Sequence, residues 1–285
     1  MEFRAGSVPF LNAKPLVWAF EHLGESSPVA LTYAWPSKLP RLLETGDVQV
    51  ALVSSIDALT VSDRTIAADC SISSRGPVMS VRLFSKVPLS EIRELALDAS
   101  SLTSNALVQI VLREMFGCVP HCRPFDPEPE EMLSQCDACL LIGDNGLLFE
   151  GEGLYQLDLG QAWTQLTGLP FVWACWVGRQ DLTPRLVRHL VQARQVGESH
   201  LATIAGSADD RISAQLAHDY LTTVFDYTLE ADQLAALERF REYVSQFGLA
   251  EAAPFPRIVE PGPLELDDPV TSSFSALSPS EFSLR

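Results

Sequence analysis

Positive charge is scarce in this sequence. Its 285 residues carry 20 basic and 37 acidic side chains, a formal net charge of −17, and only three of the basic residues are lysines. A phosphate backbone or an anionic membrane surface repels such a protein on average. The composition therefore argues against nucleic acid and the membrane surface as partners.

Long apolar runs are also missing. The longest uninterrupted run is Phe171 to Val177, which is far too short to cross a bilayer. The first residues show no basic segment that leads into a long apolar one, so they predict no signal peptide. We therefore expect a cytoplasmic protein.

Metal and redox motifs are sparse. Cys136 and Cys139 form a C-x-x-C pair, and Cys118 and Cys122 flank His121. A zinc site or a redox pair needs a fuller ligand set, and no second C-x-x-C or H-x-x-x-H is present. Because Cys139 continues into an apolar run, we interpret these cysteines as buried thiols and expect neither a metal site nor a redox pair.

Common catalytic signatures are absent as well. The sequence has no G-x-S-x-G, no glycine-rich loop with a following lysine, and no complete dinucleotide-binding fingerprint. Its five histidines are scattered and none follows a predicted strand. These absences exclude the α/β-hydrolase elbow and P-loop phosphate chemistry, and they make a nicotinamide or flavin site improbable.

Short apolar runs alternate with helical patterns through most of the chain. This alternation predicts a largely parallel, doubly wound α/β sheet. Strands are predicted at residues 3–8, 29–34, 48–53, 78–84, 95–98, 138–142 and 171–177. Ser37 is expected to cap a helix that Gly46 ends, and the chain is nearly all helical from Leu182 to about Gly248. Repeated prolines after Ala253 predict an extended tail without regular structure.

Small polar residues follow four of the predicted strands. In an open parallel sheet, ligands bind beyond the carboxyl ends of the strands, where helix amino termini point their N–H groups. Each such residue alone is better explained as a helix cap. Their repetition favours a site that binds a small anion with hydroxyls and backbone N–H groups. The residues that follow these strands are Ser7, Asn12, Ser54, Ser55, Ser100, Ser101, Thr103, Ser104, Gly143 and Asp144.

Six spaced motifs resemble the chorismate dehydratase family, which serves the futalosine route to menaquinone. The resemblance runs in order from about residue 3 to residue 248 and leaves out the proline-rich end. The motifs are Ser7-Val8-Pro9-Phe10-Leu11-Asn12-Ala13-Lys14-Pro15, Leu52-Val53-Ser54-Ser55-Ile56, Gly76-Pro77-Val78-Met79-Ser80-Val81, Ser101-Leu102-Thr103-Ser104, Leu141-Ile142-Gly143-Asp144, and Asp158-Leu159-Gly160 with Trp163 and Thr167-Gly168-Leu169-Pro170-Phe171.

The resemblance implies a two-lobed α/β fold of the type II periplasmic-binding-protein kind, with the ligand cleft between the lobes. We expect residues 1–85 and 178–250 to form the first lobe and residues 86–177 to form the second. Residues 251–285 would be the extended tail. The oligomeric state stays open between a monomer and a homodimer.

The resemblance also implies the reaction, which is dehydration of the dianion chorismate to 3-[(1-carboxyvinyl)oxy]benzoate without a cofactor. Carried over by motif, Asn12 and Ser80 are the expected residues at the reacting centre. A substrate carboxylate is a candidate for the base. The expected substrate-binding residues are Ser54, Ser55, Ser101, Thr103, Ser104, Gly143 and Asp144, of which Ser101, Ser104 and Asp144 could equally be helix caps.

Two departures and two rival functions accompany the resemblance. Phe10 stands where the family usually has tyrosine, and Gly146 where it usually has alanine. One rival is the sister enzyme that forms 1,4-dihydroxy-6-naphthoate, whose opening motif centres on Ser-Pro-Cys-Pro-Asn-Asp. The other is a non-catalytic cytoplasmic protein that binds a small anion.

Overall fold

Two β-sheets organise the computed structural model, which describes residues 2–251 and 253–263 together with Phe274 and Leu277. The strands are β1 (Phe3–Ser7), β2 (Val29–Tyr33), β3 (Val50–Ser54), β4 (Thr65–Ser74), β5 (Val81–Ser85), β6 (Glu94–Asp98), β7 (His121–Phe125), β8 (Ala138–Ile142), β9 (Tyr155–Asp158), β10 (Phe171–Gly178), β11 (Phe225–Asp226) and β12 (Arg257–Val259). All seven predicted strands are therefore present.

Helices connect these strands and cover the sheets. They are α1 (Lys14–Leu23), α2 (Leu39–Thr45), α3 (Ser55–Thr60), α4 (Leu102–Phe116), α5 (Pro129–Gln135), α6 (Gly143–Leu148), α7 (Leu159–Thr167), α8 (Pro184–Glu198), α9 (Leu201–Ala205), α10 (Ala214–Asp219) and α11 (Ala231–Gln246). The predicted helical stretch after Leu182 is confirmed, since α8 to α11 fill most of it. In the part of the chain described, no helix is long and apolar enough to span a bilayer.

The first sheet has the strand order β11-β4-β10-β3-β1-β2, with β12 also paired to β4. The second has the order β7-β6-β8-β5-β9. Strand β1 runs parallel to β2 and β3, and β6 runs parallel to β7 and β8. Strand β10 is antiparallel to both of its neighbours in the first sheet, and so is β5 in the second.

The sheets are consequently mixed, which corrects the prediction of a largely parallel arrangement. The chain passes from the first sheet to the second between β4 and β5, and it returns between β9 and β10. Strands that enter a sheet from the other one need no crossover helix, so nothing requires them to run parallel to their neighbours. Apolar runs alone carry no sign of this direction.

The same pairings move two strands across the predicted lobe boundaries. Strand β5, within predicted residues 1–85, pairs with β8 and β9 of the second sheet. Strand β10, almost all within predicted residues 86–177, lies between β3 and β4 of the first sheet. Both apolar runs suit either sheet, and only the hydrogen-bond partners determine where each belongs.

Local sequence signals explain several helix ends. Pro15 occupies the first turn of α1, where its missing N–H is not needed. Gly46 ends α2 with a φ of +76°, as predicted from its freedom in the left-handed region. The predicted cap at Ser37 is wrong, because Ser37 lies inside a 3-10 turn and Lys38 precedes the helix without a side-chain cap.

The proline-rich end contains a strand, which corrects the prediction that it has no regular structure. Residues Arg257–Val259 form β12, which runs parallel to β4. Pro256 and Pro261 flank this strand rather than interrupt it, so its N–H groups remain available for pairing. The buried ring of Phe274 contacts Phe20 edge-on. Most of the predicted tail lies outside the described residues.

Candidate active site

The loop after β1 carries the first predicted reacting residue. Asn12 is half-buried in a 3-10 turn, Leu11–Ala13, that leads directly into α1. This turn contacts a single π-helical turn, Tyr220–Val224, that follows α10. The Asn12 turn therefore lies against a segment that is remote in sequence and that no motif indicated.

The loop between β4 and β5 carries the second predicted reacting residue, Ser80. The backbone N–H of Ser80 donates to the carbonyl of Val78 at 2.8 Å and closes a three-residue turn. Met79, at the centre of this turn, has a φ of +64°. A non-glycine residue in that region is strained, and such strain concentrates at functional sites.

The carboxylate of Asp158 holds this strained turn in place. It accepts hydrogen bonds from the backbone N–H groups of Val78 at 2.9 Å and Met79 at 2.7 Å. It also caps α7 by accepting from Gln161 N–H at 3.0 Å. A Cβ on Gly160 would lie 2.6 Å from the Gly76 carbonyl oxygen, so only glycine fits that close approach. The Asp158-Leu159-Gly160 motif thus fixes the Ser80 loop.

The Ser80 side chain reaches back to the first lobe. Its hydroxyl lies 2.8 Å from the phenol oxygen of Tyr220, which donates the hydrogen bond, and both residues are buried. Burial raises the pKa of Tyr220 well above its usual range. The 3-10 turn that contains Asn12 and the Ser80 side chain therefore both contact one turn, Tyr220–Val224.

The two serines after β3 differ in what their hydroxyls do. The Ser55 hydroxyl is fully buried and donates to the carbonyl of Val172 in β10, so it ties α3 to the sheet. The Ser55 hydroxyl proton is thus used within the protein, and substrate binding by Ser55 stays a prediction. Ser54 is half-buried, and its hydroxyl makes no hydrogen bond to a described residue.

An ion pair joins the same short helix to Arg64, which follows it. Asp57, in the first turn of α3, is 3.2 Å from the buried guanidinium of Arg64. Burial raises the pKa of Asp57, and the nearby Arg64 charge partly opposes that rise. Arg64 offsets the negative charge of Asp57. An anion that binds to the N–H groups at the start of α3 is therefore repelled less strongly by this carboxylate.

The hydroxyls at the start of α4 serve two purposes. Ser101 caps the helix: its oxygen accepts from Ser104 N–H at 3.4 Å and its hydroxyl donates to Ser104 Oγ at 2.8 Å. Thr103 points elsewhere, and its Oγ1 accepts from the backbone N–H of Ile56 at 3.1 Å. That bond joins the second lobe to the first at the ends of two helices.

Gly143 and Asp144 begin α6, after β8. Gly143 has a φ of +56°, which glycine adopts without strain. Asp144 caps no helix N–H, and its Oδ2 instead lies 2.7 Å from the guanidinium of Arg211. Arg211 lies between α9 and α10, and α9 contacts α1 of the first lobe, so this exposed ion pair is a second bridge between the lobes.

A scan of protein families matches residues 3–246 to a family described as menaquinone biosynthesis. The chain belongs to the menaquinone biosynthesis family. The matched span agrees with the extent of the motif resemblance, and it leaves out the proline-rich end.

A curated relative and two solved structures accompany this membership. The chain is 32% identical over 255 residues to the chorismate dehydratase of Thermus thermophilus, covering 82% of this chain and 92% of that one. Its fold matches the ligand-binding component of an ABC-type import system from Staphylococcus aureus, with a TM-score of 0.64, 14% identity, and 98% and 99% of the two chains covered. It also matches the periplasmic aliphatic sulphonate binding protein of Escherichia coli, with a TM-score of 0.58, 15% identity, and 94% and 96% covered.

These matches confirm the predicted two-lobed fold, here in a member of the menaquinone biosynthesis family. At such low identity the two binding proteins define the fold alone. The segments after β3, β6 and β8 supply residues to contacts between the lobes, and the turn after β1 contacts the Tyr220–Val224 turn. Ligands in α/β sheets bind beyond such strand ends.

Three residues at this junction escaped the sequence reasoning. Tyr220 lies in a helical segment with no recognisable motif, and Arg211 lies in a polar loop. Asp158 belonged to a recognised motif, but nothing local indicated that it binds the loop before Ser80. Their partners are 67 to 140 residues away in sequence, beyond the reach of any local pattern.

The cysteines are buried or half-buried thiols in this family member. Cys136 and Cys139 lie in a small apolar cluster behind the second sheet, and burial raises the pKa of Cys139 to about 12. Within the described residues, no group of three or more His, Cys, Asp or Glu side chains could hold a metal ion. The C-x-x-C pair therefore packs as part of the core.

Proposed function

We propose that this protein dehydrates chorismate to 3-[(1-carboxyvinyl)oxy]benzoate in the futalosine route to menaquinone. The observation that carries the proposal is the 32% identity to the Thermus thermophilus chorismate dehydratase over most of both chains. The meeting of the Asn12 and Ser80 loops at one turn supports it further. The rival sister reaction has no comparable support among these observations.

The chemistry requires two bonds to break and one π bond to form. A proton leaves the ring carbon that bears the ether oxygen, the neighbouring hydroxyl departs, and together they are released as one water. The new double bond completes an aromatic ring, so the driving force lies in the substrate. The enzyme must hold a dianion and stabilise the negative charge that spreads to the ring carboxylate.

Asn12 and Ser80 are proposed to act at this reacting centre. The Asn12 amide is no base, but its NH₂ can donate to the departing hydroxyl. The Ser80 hydroxyl can donate from the opposite side of the site. A carboxylate of the substrate is proposed to take the proton, since neither of these two side chains can act as a base at neutral pH.

The predicted serines after β3 and β6, together with Thr103, are proposed to anchor the carboxylates of the substrate. Ser54 offers a hydroxyl that is not bound to a described residue. The backbone N–H groups at the start of α4 add donors beside Thr103, where a helix end favours negative charge. Ser55 contributes only its backbone, because its hydroxyl donates to Val172.

A closed arrangement of the lobes suits this reaction. The hydrogen bond from Ile56 to Thr103 and the ion pair of Asp144 with Arg211 both join the lobes. We propose that these contacts open to admit chorismate and close again to exclude bulk water. We also propose a cytoplasmic location, which the six unpaired cysteines favour because a reducing compartment keeps thiols free.

The decisive experiment incubates the purified protein with chorismate in the presence of EDTA and follows the products by chromatography with mass detection. A product lighter by one water that keeps the enolpyruvyl group supports the proposal. Unchanged chorismate from a protein with a cooperative thermal transition refutes the proposed activity. The remaining hypotheses are then a binding protein or the sister enzyme. Asn12→Asp, which keeps the side-chain shape but replaces the NH₂ donor, is expected to lose turnover and keep that transition.

A further inference from the structure

We propose that Tyr220 is a positioning residue for the reaction, because its phenol donates to Ser80 and leaves the serine proton free to point at the substrate. The inference rests on the proposed function, in which Ser80 acts at the reacting centre. Nothing in the family match or the sequence motifs assigns a role to Tyr220.

Contacts from three other segments of the chain fix the position of Ser80. Its backbone belongs to the strained turn centred on Met79, which Asp158 holds through two N–H groups. A Cβ on Gly146 would overlap the Ser80 carbonyl, so α6 packs directly onto it. Tyr220 then fixes the only freely rotating part, the hydroxyl, at 2.8 Å.

The direction of this hydrogen bond follows from the chemistry of the two hydroxyls. A phenol is a stronger acid than an alcohol, so it is the better donor of the pair. Ser80 is the one hydrogen-bond partner of the Tyr220 hydroxyl among the described residues. A serine oxygen has two lone pairs and one proton, and a donating Tyr220 occupies a lone pair only. The proton of Ser80 thus remains available to a substrate oxygen.

Tyr220 is well held for this purpose. Its ring meets Phe225 edge-on, with centroids 4.8 Å apart, and the side chain is buried. It begins a π-helical turn, a rare conformation that occurs often at functional sites. Because the Asn12 turn packs on the same segment, one turn positions both proposed reacting residues. Burial, which raises the pKa of Tyr220, keeps the phenol protonated at neutral pH.

A second buried tyrosine provides a matched control. Tyr227 is as buried as Tyr220 and packs against the same Phe225 ring. Its hydroxyl has no hydrogen-bond partner in the part of the chain described. Tyr227→Phe therefore removes the same atom from a similar environment without affecting Ser80.

The test measures kcat and KM for chorismate dehydration by wild type, Tyr220→Phe, Tyr227→Phe, Ser80→Ala and the double variant Tyr220→Phe/Ser80→Ala. Loss of one orienting hydrogen bond is expected to lower kcat about tenfold in Tyr220→Phe, with KM within about twofold. Tyr227→Phe should match wild type. In the Ser80→Ala background, Tyr220→Phe should have no further effect, because the group that it positions is gone.

Two results would overturn the inference. One is a kcat for Tyr220→Phe equal to that of Tyr227→Phe. The other is a loss of kcat on Tyr220→Phe substitution that is equally large in the wild-type and the Ser80→Ala backgrounds. A wild-type protein that leaves chorismate intact would refute the proposed function and this inference together, and the wild-type reaction alone reveals that case.

A second variant covers a failure of Tyr220→Phe to fold. A polyfluorinated tyrosine at position 220 keeps the hydroxyl but ionises at lower pH than tyrosine does. Its kcat is expected to fall as pH rises through that ionisation, where the wild-type kcat holds, since a phenolate cannot donate to Ser80. Identical pH profiles for the two proteins would overturn the inference.

Discussion

The Thr103 hydroxyl accepts a hydrogen bond from the backbone N–H of Ile56 at 3.1 Å, and this bond joins α4 of the second lobe to α3 of the first. The Ile56 N–H is among the donors at a helix start that have no partner within their own helix. An anion bound between the lobes would accept hydrogen bonds from such donors. Thr103 therefore occupies a position that a substrate carboxylate could take over.

Thr103→Val is expected to lower the free energy of unfolding by about 1–2 kcal/mol, because the Ile56 N–H loses its acceptor in a buried place. Urea denaturation measures the change. Thr222→Val is the control, since its hydroxyl bonds only the His218 carbonyl on an exposed helical turn. Equal losses in the two variants would contradict a special contribution from the bond between the lobes.

Gly146→Ala is expected to destabilise the protein by about 1–3 kcal/mol through overpacking. The added Cβ would overlap the Ser80 carbonyl and lie 2.9 Å from the Leu141 oxygen. Gly206→Ala, where the nearest atom is at 3.5 Å, serves as the control and should change stability little. An unchanged unfolding midpoint would contradict this prediction and would mean that α6 can move away from Ser80.

Arg211→Gln is expected to loosen the closure of the lobes with little effect on the melting temperature. Arg211 is exposed, and its ion pairs with Asp144 and Asp209 are screened by solvent. The expected result is a larger radius of gyration by X-ray scattering and a higher KM for chorismate. Arg239→Gln removes an ion pair within α11 and should alter neither quantity. A compact Arg211→Gln protein with wild-type KM would argue against this bridge.

Asp137→Asn is expected to reduce stability at pH 7 and to matter less in acid. The backbone N–H groups of Glu94 and Arg93 donate to the carboxylate of Asp137 and hold its pKa below the usual value of 3.8. A group whose folded-state pKa is lowered stabilises the fold above its unfolded pKa, and that contribution is lost as pH falls through the folded pKa.

Urea denaturation at pH 7 and at about pH 3 tests this prediction for Asp137, since the gap between wild type and variant should narrow at the lower pH. Asp181→Asn is the control, because Asp181 is exposed and makes no side-chain hydrogen bond to a described residue. A constant gap across this range would contradict the expected role of the carboxylate charge.

Much of the fold followed from patterns within short segments. The runs at residues 138–142 and 171–177 are strands because they are apolar and short, and Pro15 and Gly46 mark the helix ends that their backbone chemistry favours. Strand β7 was missed because it contains a proline and an arginine, and β9 because it has only four residues. Such strands form through their neighbours rather than through their own pattern.

The candidate site was likewise predictable from local sequence only in part. Local sequence placed Asn12, Ser54 and Thr103 at or shortly after strand ends, and the structure has Ser54 as the last residue of β3 and the other two a few residues beyond β1 and β6. A helix cap was one of the two roles predicted for Ser101, and Ser101 caps α4 in the structure. Local sequence could not distinguish Ser54 from Ser55, because the acceptor that engages Ser55 is the carbonyl of Val172, 117 residues away.

The sequence by itself determined the acidic character, the α/β class, several helix ends and the family, because composition and short motifs encode them. Only the tertiary structure decided which strands belong to which sheet and which hydroxyls are already bonded. The pairing of Ser80 with Tyr220 spans 140 residues. Hydrogen-bond partners so far apart are chosen by the packing of the two lobes, and no local pattern specifies that packing.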